Sequence, residues 1–174
     1  MTNDMPDKSH ITHGNNARFV VELSQFNVFM AGMVGVSRHM KCISWEQGYN
    51  GINNRKRGWQ DNCDGALGEQ AFAKWLGRFW DGTPNTFRTT PDVAQYEVRT
   101  NAESWGDLII RDRDSDDRVY VLVISSDCPR FLIRGWMRGI EAKQGRWRRA
   151  GDKTRPDAWF VPQGDLHDMD SLPR

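Results

Sequence analysis

Cysteine is scarce in this chain, and long apolar runs are missing. Cys42, Cys63 and Cys128 are scattered and odd in number. That excludes a disulfide framework as the main support and fits a reducing, cytoplasmic compartment. No stretch of 18 apolar residues exists, so no transmembrane helix is expected. Residues 1–14 are polar and carry acids, unlike a secretory signal. There is no GxSxG, no P-loop and no dinucleotide fingerprint. Neither Cys63 nor Cys128 has a motif-level histidine partner for thiol catalysis. An excess of one charge sign is also missing: 24 basic residues face 23 acidic ones, for a net charge of +1. A histone-like surface is thereby excluded, but a near-zero sum can hide two opposed patches.

What remains is enough for one core. A chain of 174 residues is the length of a single domain. We expect a flexible, solvated N-terminal arm over 1–16, including His10 and His13, and one domain over 17–174. From Ala17 to about Met40, apolar residues recur at helical spacing, which predicts a long helix. Residues 46–61 have no period and read as a loop carrying Arg55, Lys56 and Arg57. A second helix is predicted from Asn62 to Trp80, with Asp64 as N-cap. Its stripe is Gly65, Gly68, Phe72, Trp75, Leu76 and Phe79, and Glu69 lies at the margin. Gly68 on the buried face would let another element approach closely.

After residue 85 the period changes to two. Strands are predicted at 86–89, 96–100, 107–111, 118–125, 131–136 and 158–161, separated by polar turns. The order is helix, helix, then strands with a short late helix. The fold class is α+β: a central mixed, mostly antiparallel sheet flanked by helices. The segment Asp112–Asp117 lacks the glycine and terminal glutamate of a calcium loop and reads as a hairpin turn.

The informative stretch is Pro91-Asp92-Val93-Ala94-Gln95-Tyr96-Glu97-Val98-Arg99-Thr100. In a strand, Tyr96 and Val98 face the core while Glu97 and Arg99 share the other face. The short connection before the strand would set Asp92 beside Glu97 across a hairpin. Two such carboxylates repel, and one pKa rises. A divalent cation between them removes the conflict, and oxygen ligands suit Mg²⁺.

This arrangement resembles the PD-(D/E)xK nuclease superfamily: a Pro-Asp, an acidic-x-basic triplet on a strand, and an upstream helix glutamate in Gly68-Glu69-Gln70-Ala71. It looks most like the mismatch-repair nicking and GATC-cutting branch. In style the chain is similar to phage and prophage proteins. The resemblance implies a restriction-endonuclease-like core and metal-dependent hydrolysis of a DNA phosphodiester. It implies Asp92 and Glu97 as ligands of Mg²⁺ or Mn²⁺, with Glu69 completing the shell. Arg99 stands where the family usually has lysine. Arginine stays charged, so it can stabilise developing charge but cannot act as a base.

Charge is polarised along the chain. Nine basic residues lie between Arg130 and Arg155, against Glu141 and Asp152 alone. The candidate DNA contacts are Arg134, Arg138, Lys143, Arg146, Arg148 and Arg149, with Arg55, Lys56 and Arg57 as a second group. Trp136 and Trp147 are interleaved and would offer rings for base stacking. The expected partner is DNA, with no membrane contact and with room for a homodimer. Two other readings stay open. One is a non-catalytic nucleic-acid-binding or host-enzyme-inhibiting protein on a related fold. The other is an assembly protein using a tryptophan-rich interface.

Overall fold

The computed structural model describes residues 19–44, 55–83, 90–151 and 156–174, with the backbone alone at 42–44 and 55–57. The fold class is α+β, with a mixed sheet and helices. Strand β1 (Phe19–Glu22) leads into helix α1 (Gln25–Ser44), and α2 spans Arg55–Leu76. Then come β2 (Tyr96–Asn101), β3 (Leu108–Arg111), β4 (Val119–Asp127) and β5 (Arg130–Arg138). A one-turn helix α3 (Gly139–Ala142) precedes β6 (Arg148–Arg149) and β7 (Ala158–Val161). Among the described residues no helix is long and apolar enough to cross a membrane.

The strands form two sheets rather than the single central sheet expected. The larger has the order β1-β5-β4-β2, antiparallel except where β2 runs parallel to β4. The smaller, β3-β7-β6, is antiparallel throughout. Strand β4 lies between two cores, which explains its unbroken apolar run Val-Tyr-Val-Leu-Val-Ile. Val119, Val121 and Val123 pack with Phe72 and Ala73 of α2. Tyr120, Leu122 and Ile124 pack with Leu108, Ile110 and Val161 of the smaller sheet.

Three predicted boundaries need correction, each for a local reason. Residues 19–22 are a strand, paired antiparallel with residues 130–133. The helix starts only after Ser24, whose hydroxyl accepts from the Asn27 N–H as a cap. Helix α2 begins at Arg55, so Arg55-Lys56-Arg57 forms its first turn instead of a loop, and Asp64 is mid-helix instead of an N-cap. It ends at Leu76 because Gly77 takes a left-handed φ of 67°. The Arg78 N–H bonds the Ala73 carbonyl and the Gly77 N–H bonds that of Lys74, a glycine-terminated helix end. Phe79, placed on the buried stripe from sequence, is therefore outside the helix and 91% exposed. The expected strand at 86–89, the arm 1–16 and most of the 46–61 loop lie outside the described residues.

Two glycines set the helix positions. A Cβ on Gly35 would fall 2.5 Å from the Cys63 Cα, so α1 and α2 cross at backbone contact there. A Cβ on Gly68 would fall 2.0 Å from the Thr100 Oγ1, so α2 lies directly on β2. The close approach expected at Gly68 is thus realised.

Candidate functional site

The two close approaches bring α1, α2 and β2 together at the edge of the larger sheet. Arg38 is one turn beyond Gly35, and Glu69 is next to Gly68 in the chain. Arg38 grips Glu69 with two parallel bonds, Nη1 to Oε1 at 2.6 Å and Nη2 to Oε2 at 2.8 Å. Arg38 Nη2 also donates to the Thr83 carbonyl, and the Trp80 indole N–H donates to Glu69 Oε2 at 3.2 Å. Glu69 is only 5% exposed. Burial opposes the Arg38 charge, but its bond with Glu69 and the nearby carboxylates push its pKa up.

Asp92 does not reach Glu97 across a hairpin ladder. A tight turn at Ala94 and Gln95 closes with Val93 and Tyr96 bonded both ways. Asp92 sits before that turn, and its Oδ2 accepts the Val98 N–H at 2.8 Å. Strand β2 is a sheet edge, and Asp92 satisfies a backbone donor there. Burial, followed by the charges of Glu69 and Glu97, pushes the Asp92 carboxyl up to about 7.

Glu97 and Arg99 do share a face, as alternation requires, but the face is covered rather than solvated. Glu97 is buried and in register with Tyr120. Its Oε1 accepts a close bond from Arg118, just before β4, and its Oε2 lies 3.5 Å from Arg99 Nη1. Arg99 Nη1 also stands 3.9 Å from Asp92 Oδ2, and Nη2 stands 3.2 Å from Asp114 Oδ1. The guanidinium lies over the Tyr120 ring at 5.0 Å. Burial works against its charge, but Asp114, Asp92 and Glu97 outweigh that and raise its pKa.

Sequence reasoning missed Arg38, Asp114 and Arg118. Arg38 offered a faint signal as the first charge after thirteen uncharged helical residues, 25–37. Asp114 was read as part of a hairpin turn, but the flanking strands β3 and β4 belong to different sheets. That turn instead folds over the site, held by Lys143, whose Nζ bonds the Asp114 carbonyl at 2.6 Å and Asp116 Oδ1 at 2.7 Å.

The ion-paired set holds four carboxylates (Glu69, Asp92, Glu97, Asp114) against three guanidiniums (Arg38, Arg99, Arg118). Within that set one negative charge is left over. Hard oxygen donors with a surplus charge fit Mg²⁺ or Mn²⁺ by chemistry. Among the described residues, however, no three acid, histidine or cysteine side chains are arranged as a metal centre. Both oxygens of Glu69 are already taken by Arg38 and Trp80.

The candidate DNA contacts are mostly engaged. Arg134 bonds Gln163, Arg148 pairs with Asp157, and Arg149 pairs with Asp107 at 3.0 Å. Arg146 stacks on Trp147 with its guanidinium carbon 4.0 Å from the ring centre, while Arg138 is exposed. The side chains of Arg55, Lys56 and Arg57 lie outside the described residues. The stacking role expected of Trp136 and Trp147 fails. Both are buried, and their indole N–H groups bond the Asp168 carbonyl and Asp165 Oδ2. Trp105 is exposed, at 75%, in an open groove with Arg149 and Phe160. Comparison with known proteins returned no matching family model, no matching curated protein and no matching solved structure.

Proposed function

We propose that the chain is a metal-dependent endonuclease cutting DNA phosphodiesters through an Asp/Glu/Arg variant of the PD-(D/E)xK site, acting in a bacterial or phage-infected cytoplasm. The observation that carries the reading is that Asp92 and Glu97 share Arg99 within an ion-paired set holding one more carboxylate than guanidinium. Asp92 and Glu97 would hold Mg²⁺ or Mn²⁺, with Glu69 acting through water because Arg38 occupies it. A cation bound there would supply Lewis acidity and a more acidic water. Arg99 stays protonated and offsets negative charge building on the phosphate. Arg118 holds Glu97 in place, and Asp114 holds Arg99.

The test is nicking of supercoiled plasmid with Mg²⁺ or Mn²⁺. Activity should vanish with Asp92→Ala and with Glu97→Ala, and survival of activity in both sinks the assignment. The second reading, a non-catalytic nucleic-acid binder, is favoured by the arginine pairing of Glu69 and Glu97. Calorimetry separates the two: no heat with millimolar Mg²⁺ or Mn²⁺, together with salt-dependent DNA binding, supports the binder.

A further inference from the structure

Among the described residues, helix α1 packs on α2 along one side and leaves the other uncovered. On the uncovered side Phe26, Met30, Met33, Ser37 and Met40 follow one another at spacings of four, three, four and three. That is a heptad seam, with a period of 3.5 residues, over some 20 Å of helix. Phe29 widens it. The five large apolar side chains are 43–69% exposed. On an exposed face such residues are an anomaly, because surface helices normally turn charge outward. Here the helix bears no charged residue from Gln25 to Ser37. Arg38, the first, is buried against Glu69.

We propose that this seam is a homodimer interface, in which α1 of one copy packs against α1 of a second. The periodicity selects a helix as the occupant, since knobs spaced at 3.5 residues need holes of the same spacing. A second copy supplies that pattern, and a two-fold pairing lets one patch serve both partners. The lack of any basic residue on α1 before Arg38, with Lys41 alone in its last turn beside it, argues against an anionic lipid surface, which would attract lysine and arginine along the whole stripe. Residues 1–18 are a poor cover, with Met1, Met5 and Ile11 as their only large apolar side chains. The five side chains expose roughly 500 Å², at about 200 Å² per full large side chain. Val20, exposed on the strand entering α1, adds to the apolar surface at that end. With flanking polar residues the patch approaches the ~800 Å² per partner of a standard specific interface. Ser37 interrupts the apolar seam, so the dimer is reversible rather than obligate.

Sedimentation velocity of the full chain from about 1 to 100 µM tests the proposal, a range chosen for a micromolar dissociation constant. The expected result is a concentration-dependent monomer–dimer equilibrium. Met33→Glu, at the middle of the seam, should weaken the dimer about 100-fold or more. Met33→Leu should keep it, and so should Trp105→Ser, an exposed aromatic elsewhere. Circular dichroism and melting confirm that each variant is folded. Where Met33→Glu lowers the melting temperature, Met30→Lys gives the second reading of the same seam. A monomer throughout the range overturns the proposal, as does a dimer unaffected by charge at both positions. The readout is mass, not cleavage, so it stands or falls independently of the nuclease reading.

Discussion

The Arg38–Glu69 pair offers the sharpest test of how the site is built. Arg38→Met keeps the stem volume and removes the charge, stranding a carboxylate that is 5% exposed with one remaining donor, the Trp80 indole. Breaking a buried pair from one side typically costs about 3–5 kcal/mol, because the surviving ion keeps its desolvation penalty. With a urea slope of about 2 kcal/mol/M, the denaturation midpoint should fall by about 2 M. For a chain of this size the melting temperature should fall by roughly 10 °C, at 2–4 °C per kcal/mol. The double variant Arg38→Met with Glu69→Leu removes both ions and should recover most of that loss. Urea unfolding of wild type, both single variants and the double variant measures all of this. A loss below 1 kcal/mol for Arg38→Met would refute the reasoning, as would a double variant no better than the single.

Three further outcomes follow from the geometry. The Asp92 carboxyl sits at about 7 in the folded chain against 3.8 unfolded. Its contribution is therefore fully present below pH 3.8 and lost as the pH rises through about 7, by at most about 4 kcal/mol at 1.36 per unit. Melting of the metal-free protein from pH 4 to 8 should show a decline that Asp92→Asn flattens, and an unchanged slope in that variant would disprove it. Gly68→Ala drives a methyl into Thr100 and should cost about 1–3 kcal/mol, a loss that Thr100→Ala relieves. If chemical unfolding finds the two substitutions simply additive, α2 is not seated on β2 as described. Asp114→Asn removes the acid closest to Arg99 and, on the nuclease reading, should lower plasmid nicking by about 10-fold or more through misplacement of the guanidinium. Equal nicking by this variant and wild type would leave Asp114 without a positioning role.

Much of the strand placement was legible because it depends on local alternation. Tyr96 and Val98 do face the helices, and Glu97 and Arg99 do face the other way, as a period of two demands. Gly68 was also readable, since glycine on an apolar stripe has few reasons other than close contact. The misread boundaries came from competing short-range signals. Gly77 ends α2 by its left-handed backbone, and Ser24 starts α1 by capping, though apolar spacing runs through both points.

The composition and periodicity of this chain determined an α+β protein and its alternating strand faces, and the resemblance singled out Glu69, Asp92 and Glu97. Only the tertiary structure decided which charges those acids meet. Arg38, Asp114 and Arg118 come from α1, a loop and the entrance to β4, and nothing in their local sequence ties them to Glu69, Arg99 or Glu97. The physical reason is range. Periodicity and caps act over a few residues, whereas the field at a buried carboxylate is summed from every element packed around it.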